Sequence, residues 1–238
     1  SRIQRSVLPA HDALSECFDD HFVIWEPKDV VGGDIYHLRS CDQGALLMVT
    51  DCTGHGVPGA FMTMIATGAL DQALIEIPDG DPGRLLGRIN QLVKSVLGQD
   101  SINGESDDGF ECGLCLIDNT AGQIIYAAAR FEIWQINGGE ITTFKGDKAG
   151  IGYRRTPIDM KFKNQTIPMA PDDTFYLGTD GIVDQIGGRK FRAFGKRRLK
   201  QILSDYCPMP LADQAVRILR DFREYQHSEE RRDDVTLF

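Results

Sequence analysis

The stretch that decides the fold is ALLMVTDCTGHG, residues 45–56. Its apolar run ends in turn residues, a pattern typical of a buried strand. Asp51 then lies at the end of that strand, where a rigid element can present its carboxylate to a cleft. Gly54 and Gly56 allow a tight turn and leave room for another group to approach. This stretch therefore predicts a strand that carries a functional acid.

An acid beside an apolar strand candidate recurs elsewhere along the chain. Asp34 closes the segment VVGGD, Asp180 closes TFYLGTD, and Asp233 and Asp234 come just before VTLF. A single aspartate of this kind is more often an ordinary turn residue. Four such points, two of them flanked by glycine, favour convergence on one functional site.

Length and charge narrow the class of protein. The 238 residues suffice for one large domain with a substantial core. The net charge of −9 argues against a general nucleic-acid binder and suits carboxylates gathered around a cation. No apolar run is long enough to cross a membrane, and no signal-peptide pattern is present. Because it begins with Ser1, we expect the chain to be a piece of a longer protein.

Six cysteines are scattered along the chain, and only Cys112 and Cys115 form a CxxC pair. This usage is typical of a reducing, cytoplasmic compartment rather than of a disulfide framework. The pair falls in a strand-like segment, and no second pair is placed to complete a zinc site. Packing in the core is therefore the better interpretation.

Hydrophobic periodicity predicts mixed α and β structure. The predicted helices are 57–76, 84–97, 196–206 and 211–226. The predicted strands are 22–25, 112–117, 124–129, 133–136, 141–144, 160–167 and 174–177. Strands and helices occur in blocks, which indicates an α+β fold with mainly antiparallel sheets.

The domain organisation follows from the spread of the acids. Residues 1–18 are expected to form the end of a linker helix and a lead-in, with Ile3 on the apolar face of the helix. Residues 100–109 lack a core-forming pattern and are expected to form a surface loop. Because the acidic points span nearly the whole chain, residues 19–238 are expected to form a single domain.

Carboxylates that converge without histidine or thiolate partners suit hard divalent cations such as Mg²⁺ or Mn²⁺. Two such cations can hold a bridging hydroxide in line with a phosphorus atom. Their charge also neutralises the charge that develops on the phosphoryl oxygens. The residues alone therefore predict a metal-dependent site for phosphate transfer or hydrolysis.

Three further features leave alternatives open. His55 is either a proton donor to a leaving group or a histidine that orders the turn. Asp184 shares a face with Asp180 if a helix begins at Gly181, although a surface acid is the more common case. The basic run 189–198 either docks an acidic partner or forms a solvated helix face.

Four ordered motifs resemble those of a known family. They are VGGDIY at 31–36, DCTGHGVPGA at 51–60, TDG at 179–181 and DDVT at 233–236. Together they resemble the PPM metal-dependent serine/threonine phosphatases, specifically the SpoIIE-type bacterial branch. The segments 184–188 and 194–196 are most similar to the sensor-linked, SiaA-like subgroup. Residues 3–9, IQRSVLP, resemble the linker-helix ending that precedes these domains.

The resemblance implies an αββα sandwich, in which two mainly antiparallel sheets are flanked by helix pairs. It also implies a centre of two Mn²⁺ or Mg²⁺ ions. By motif, Asp34 and Asp51 are expected to bind both metals, with the Cys52 carbonyl as a backbone ligand. Asp180 and Asp233 are expected to complete the shell, and Asp184 to be an optional ligand of a third ion.

The resemblance also implies a biological setting. Substrates in this branch are typically phosphoserine or phosphothreonine on small STAS-type regulatory proteins, opposed by a partner-switching kinase. The domains usually follow a sensor module, often in membrane-anchored proteins, and are regulated through the linker helix and dimerisation. We therefore expect a cytoplasmic phosphatase domain that binds a phosphorylated STAS-type protein and no nucleic acid.

Two departures from the family pattern concern the substrate side. Many relatives carry Asn-Ala-Gly-His-Pro where this chain reads AARFE at 128–132. The phosphate-binding arginine of the eukaryotic relatives has no evident counterpart near the N-terminus, so Arg130 is the candidate to help hold the phosphate. The alternatives are a non-catalytic binding module of the same fold and a hydrolase of a small phosphometabolite. Nucleotide-driven transfer is disfavoured because no P-loop motif is present.

Overall fold

The computed structural model describes residues 2–41, 44–100 and 106–238. Its helices are Arg2–Val7 (α1), His11–Cys17 (α2), Gly56–Glu76 (α3), Pro82–Val96 (α4), Gly181–Asp184 (α5), Lys196–Tyr206 (α6) and Leu211–Gln226 (α7). Its strands are Ile24–Glu26 (β1), Asp34–Cys41 (β2), Gly44–Cys52 (β3), Phe110–Asp118 (β4), Gln123–Ala129 (β5), Glu132–Asn137 (β6), Glu140–Lys145 (β7), Gln165–Pro168 (β8), Thr174–Leu177 (β9), Ile186–Gly187 (β10), Arg192–Ala193 (β11) and Val235–Leu237 (β12).

Two antiparallel sheets form the middle of the molecule. The first has the strand order β2-β3-β4-β5-β8. The second combines β7-β6-β9 with the pair β12-β1. Leu177 and Phe238 join these two parts by reciprocal backbone hydrogen bonds of 3.0 and 2.8 Å. The last strand of the chain therefore completes the second sheet.

The sheets face each other across a buried layer, and helices cover both outer faces. The layer between the sheets contains Leu47, Tyr126, Ile133 and Leu177. Helices α3 and α4 pack on the outer face of the first sheet, where the buried residues include Met48, Leu70, Leu86 and Leu114. Helices α6 and α7 pack on the second sheet, with Trp134, Tyr176, Leu203 and Phe222 buried there. The expected αββα sandwich is confirmed.

Local sequence explains where the helices begin. Asp81 caps α4 because its Oδ1 accepts a 2.8 Å hydrogen bond from the Arg84 N–H, and Pro82 occupies the first turn.

Helix α3 is apolar over most of its surface and packs against the sheet. Helices α6 and α7 are amphipathic and bury one stripe each. None of the described helices is long and apolar enough to cross a membrane.

Several element predictions match the structure and two are wrong. The strand at 174–177 and the helices at 196–206 and 211–226 agree residue for residue. The predicted strand 160–167 is wrong, because only Gln165–Pro168 pairs with the sheet. Asp34 does not close a strand: it begins β2, and the apolar residues that hold it follow it. Of the predicted loop 100–109, residues 101–105 lie outside the described residues.

The N-terminal segment also differs from expectation. It forms two short helices instead of one, and Ile3 is 76% exposed. Gln4 is buried instead, and Leu14 packs into the layer between the sheets. The boundary at residue 18 stays a prediction.

Cys112 and Cys115 lie on opposite faces of β4. Cys112 packs beneath α3 and α4, whereas Cys115 packs between the sheets. Their thiols therefore point apart, which supports the interpretation that both pack in the core.

Candidate active site

Three carboxylates lie side by side at one end of the first sheet. Asp34, the first residue of β2, is paired with Asp51 on β3, and Asp51 is paired with Glu111 on β4. Residues paired in this way share a face of the sheet and have Cβ atoms about 5 Å apart. That face is the one directed at the second sheet, since Leu47 and Val49 on the same side of β3 belong to the layer between the sheets.

The second sheet brings its acids to the same end. Asp180 follows β9 at the start of α5, and its N–H approaches Asp51 Oδ2 at 3.5 Å. Asp233 and Asp234 immediately precede β12. The carboxylate of Asp234 accepts hydrogen bonds from the backbone N–H groups of Lys28 and Gly33, at 2.7 and 2.6 Å. The structure thus brings together the acids that the sequence placed far apart.

Asp34 is the most deeply buried of these acids, with 3% of its surface exposed. Its Oδ2 accepts hydrogen bonds from the hydroxyls of Thr179 at 2.6 Å and Thr236 at 2.9 Å. Burial raises the pKa of Asp34 well above its ordinary value, the two hydroxyls oppose that rise, and the neighbouring charges of Asp234 and Asp233 add to it. A carboxyl that is buried beside other negative charges is stable as an anion only next to a cation.

The pKa values of Asp51 and Asp180 are also raised by burial and by neighbouring negative charges. Burial raises the pKa of Asp51 well above its usual range, and the charges of Asp34, Asp180 and Asp233 raise it further. Partial burial, followed by the charges of Asp184, Asp233 and Glu111, raises the pKa of Asp180 to about 6. The set supplies oxygen donors and an excess of negative charge, which is the chemistry that hard divalent cations require.

The ligand roles themselves stay predictions. Within the described part of the chain, no three acidic, histidine or cysteine side chains surround one point as a complete metal site. The carboxylate oxygens fit Mg²⁺ or Mn²⁺ because too few positively charged groups lie beside the buried carboxylates. The fit depends on this excess of negative charge.

The turn after β3 is held close to the loop that precedes Asp34. Cys52 donates its backbone N–H to the Gly33 carbonyl at 3.1 Å. A side chain at position 33 would approach the carbonyl oxygens of Gly54 at 2.5 Å and Cys52 at 3.0 Å, so only glycine fits there. The Cys52 thiol points away beneath α3, and burial raises its pKa, so only the carbonyl of Cys52 is available as a ligand.

His55 contacts the loop 28–29 through both ring nitrogens. Its Nδ1 lies 2.8 Å from Asp29 Oδ2, and its Nε2 lies 2.9 Å from Lys28 Nζ. These contacts favour the interpretation that His55 orders the turn. Its role as a proton donor stays a prediction.

Asp184 lies one helical turn after Asp180, as the spacing predicts. The Asp184 N–H donates to the Asp180 carbonyl at 2.9 Å and so forms the single turn of α5. The side chain is exposed, and its charge acts on Asp180. Whether Asp184 binds an ion stays a prediction.

Sequence reasoning missed several residues that the structure adds to the site. They are Thr179, Thr236 and Glu111. Asp234 was named from the sequence, and the structure adds its hydrogen bonds to the loop before β2. The two threonines stand inside the TDG and DDVT motifs, so their position was visible but their hydroxyl contacts with Asp34 were not. Glu111 carries no signal in the sequence, because only the strand register places it opposite Asp51.

Arg130 lies at the edge of the acidic cluster. Its backbone has a positive φ of 57°, which is uncommon for a residue other than glycine. Its Nη1 lies 3.4 Å from Glu111 Oε1, and its guanidinium carbon lies 5.2 Å from the centre of the Tyr153 ring. The Tyr153 hydroxyl in turn lies 3.2 Å from Thr53 Oγ1, two residues beyond Asp51.

Comparison with known proteins identifies the family of this chain. The model of the SpoIIE family, described as stage II sporulation protein E, matches residues 42–238. The PP2C domain of SiaA from Pseudomonas aeruginosa is 37% identical, and the match covers 99% of this chain and 91% of that domain with a TM-score of 0.89. None of the curated protein sequences matches the chain.

More distant solved structures share the fold. The PP2C phosphatase domain of SpoIIE from Bacillus subtilis, with a fragment of its regulatory domain, is 16% identical with a TM-score of 0.66. That match covers 92% of this chain and 62% of the other. The catalytic domain of the serine/threonine phosphatase PstP, in complex with two manganese ions, is 14% identical with a TM-score of 0.59. That match covers 91% of this chain and 94% of PstP.

Proposed function

The chain belongs to the SpoIIE family of PP2C-type serine/threonine protein phosphatases, and on that premise we propose that it dephosphorylates a STAS-type regulatory protein. The substrate residue is phosphoserine or phosphothreonine, and the setting is bacterial partner switching. The observation that carries the proposal is the pairing of buried Asp34 with Asp51 at the end of the sandwich where Asp180 and Asp233 also arrive.

The carboxylates hold two divalent cations, Mn²⁺ or Mg²⁺. Asp34 and Asp51 would hold these ions, together with Asp180, Asp233 and the Cys52 carbonyl. Asp184, whose side chain is exposed, is the candidate ligand of a third ion. When bound, the cations supply the positive charge that activates a water molecule and neutralises the phosphoryl oxygens. The two manganese ions bound by PstP support this assignment.

The chain's own residues orient the site. The hydroxyls of Thr179 and Thr236 both donate to Asp34 Oδ2 and fix the orientation of that carboxylate, which leaves Oδ1 for other contacts. Asp234 binds the N–H groups of Lys28 and Gly33 and keeps the loop before β2 in place. The guanidinium of Arg130 faces the phosphoryl oxygens of the substrate, since it lies beside Glu111 and so next to Asp51.

The linker helix has a direct contact with this site. Gln4 on α1 donates from Nε2 to the Gly32 carbonyl at 2.7 Å and accepts from the Gly32 N–H at 3.0 Å. Gly32 lies two residues before Asp34, so a shift of α1 moves the loop that carries the first acid. This contact supports regulation through the linker helix. The upstream sensor module, the homodimer and the cytoplasmic location in a longer, membrane-anchored protein belong to the proposal on the family resemblance alone.

The test is hydrolysis of an aryl phosphate and of a phosphorylated STAS-type protein in Mn²⁺. We expect Asp34→Ala, Asp51→Ala and Asp180→Ala each to lower kcat at least about 100-fold, which is the usual effect of removing a group that stabilises transition-state charge. Asp205→Ala, at an exposed position on α6, serves as the matched control and keeps full activity. Activity that survives all three substitutions would show that the acids are structural. Turnover of small phosphometabolites without turnover of phosphoprotein would assign a different substrate class.

A further inference from the structure

A shallow pocket of about 320 Å³ lies beside the acidic cluster. Three of its lining residues, Arg130, Lys145 and Lys148, are basic and exposed. The remaining lining residues are Phe131, Glu132, Gly146 and Asp147. A group of cations is unexpected at this place, because the chain as a whole carries a net charge of −9 and the neighbouring site is acidic.

The backbone around this pocket is firmly held. The N–H of Arg130 donates to the Asp147 carbonyl at 2.8 Å, and the N–H of Asp147 donates to the Ala128 carbonyl at 2.8 Å. The N–H of Gly146 donates to the Phe131 carbonyl at 2.9 Å. These bonds hold Arg130 in its left-handed conformation, which costs an ordinary residue about 1 kcal/mol. The pocket is therefore set by hydrogen-bonded backbone rather than by a loose loop.

Two contacts place the pocket next to the carboxylates of the active site. On one side, Arg130 lies 3.4 Å from Glu111, whose strand partner is Asp51. On the other side, Lys196 Nζ lies 3.2 Å from Glu132, and the charge of Lys196 also acts on Asp180. The pocket is therefore within reach of a residue that neighbours a phosphorylated side chain at the acidic cluster.

The acidic members of the pocket already have partners, whereas its lysines face solvent. Glu132 accepts a 3.0 Å hydrogen bond from Trp134 Nε1 and pairs with Lys196. Asp147 Oδ2 accepts from the Lys163 N–H at 2.9 Å. A backbone N–H does not cancel the charge of Asp147, but Lys145 and Lys148 together exceed it, so the pocket keeps a positive charge whose complement is an anionic group.

We propose that this pocket binds an acidic side chain that flanks the phosphorylated residue of the protein substrate. The inference rests on the proposed phosphatase function and adds to it a sequence preference: aspartate or glutamate beside the phosphoserine. Lys145 and Lys148 contact the flanking carboxylate, and Arg130 lies between that carboxylate and the phosphoryl group.

Two phosphoserine peptides test the proposal, one with aspartate and one with alanine on both sides of the phosphoserine. Wild type is compared with a double variant, Lys145→Ala with Lys148→Ala. The matched control is Arg39→Ala with Arg84→Ala, which removes two exposed charges that are ion-paired with Asp71 and Asp79. Because exposed charge pairs contribute modestly, we expect the double variant to lower kcat/KM for the acidic peptide roughly 3- to 20-fold, mainly through KM. The control keeps the wild-type preference.

The outcomes separate this inference from the proposed function. The proposed binding of a flanking acidic side chain is refuted if wild type has the same kcat/KM for the two peptides. It is also refuted if the preference survives in the Lys145→Ala, Lys148→Ala variant. Fluorescence anisotropy of labelled peptides gives a readout that needs no turnover. Selective binding of the acidic peptide without hydrolysis of any substrate would refute the phosphatase function and support the role of the pocket. Hydrolysis without selectivity between the peptides would support the phosphatase function and refute the role of the pocket.

Discussion

Replacing Asp34 by asparagine tests whether the buried carboxylates are built for a cation. Asp34 is 3% exposed, and its Oδ2 accepts hydrogen bonds from Thr179 and Thr236. Asparagine has nearly the same shape and keeps one accepting oxygen, but it carries no charge. The substitution therefore removes the charge without leaving a cavity.

The expected gain in stability follows from the raised pKa of Asp34. The pKa of an aspartate is 3.8 before burial, and the site raises it well above that value. A buried charge without a partner destabilises a fold by about 3–5 kcal/mol, and the raised pKa of Asp34 reflects that cost in the metal-free protein. An unpaired amide N–H₂ in its place costs about 1–3 kcal/mol. We expect Asp34→Asn to stabilise the metal-free protein by about 1–3 kcal/mol at pH 7.

The assay is thermal unfolding in chelator and in Mn²⁺ across a range of pH. A carboxyl whose pKa is raised in the fold favours the folded state in acid, and that advantage is lost as pH rises from 3.8 toward the raised pKa. The stability gap between variant and wild type therefore widens as pH rises above 3.8. For a chain of this size each kcal/mol changes Tm by about 2–4 °C. Mn²⁺ raises Tm of wild type and leaves Asp34→Asn unchanged.

Two results would refute this reasoning. The first is an Asp34→Asn protein that melts below wild type in chelator at every pH, which would mean that the carboxylate stabilises the fold by itself. The second is an Asp34→Asn protein that keeps the full Mn²⁺ effect, which would mean that Asp34 binds no metal. Asp205→Asn on α6 is the control and should follow wild type in all conditions.

Four further substitutions give three separate tests. Gly59→Ala places a methyl group against the backbone of the turn after β3, so in denaturant titrations it should lower the free energy of unfolding by about 1–3 kcal/mol. In Gly68→Ala, in the same helix, the new methyl group meets nothing within 4 Å. This control should raise the free energy of unfolding by about 0.5–1 kcal/mol. Gln4→Ala leaves the polar groups of Gly32 without their side-chain partner, and calorimetry should show a loss of about 1–3 kcal/mol together with a lower kcat. His55→Ala should lower kcat for an aryl phosphate less than about 10-fold if the ring only orders the turn, whereas a loss of about 100-fold or more would identify a proton donor.

Sequence periodicity was sufficient for elements whose apolar pattern is long and regular. Helices α6 and α7 each bury a single stripe, so their bounds could be read from the spacing of leucine, isoleucine and phenylalanine. The segment 160–167 also contains apolar residues, yet Phe162 is buried outside any strand, and pairing begins only at Gln165. A short apolar run does not reveal whether a neighbouring strand is present to pair with it.

The acids of the candidate site could be predicted from the sequence, whereas their hydrogen bonds and strand partners could not. The motifs around Asp34, Asp51, Asp180 and Asp233 indicated the carboxylates because glycine and apolar residues flank them. The hydrogen bonds that orient Asp34, and the position of Glu111 opposite Asp51, depend on strand register between distant segments. Register is set by the whole sheet, and no local pattern contains it.

The last strand has a consequence for how the protein is made. Asp34 bonds to Thr179 and Thr236, which lie 145 and 202 residues further along the chain. Contacts of such long range form late in folding. A nascent polypeptide that still lacks β12 can pair Asp34 with Asp51 across strands β2 and β3, but it has neither Asp233 nor Thr236. The hydrogen bonds that orient the Asp34 carboxylate are therefore complete only when translation has supplied that strand.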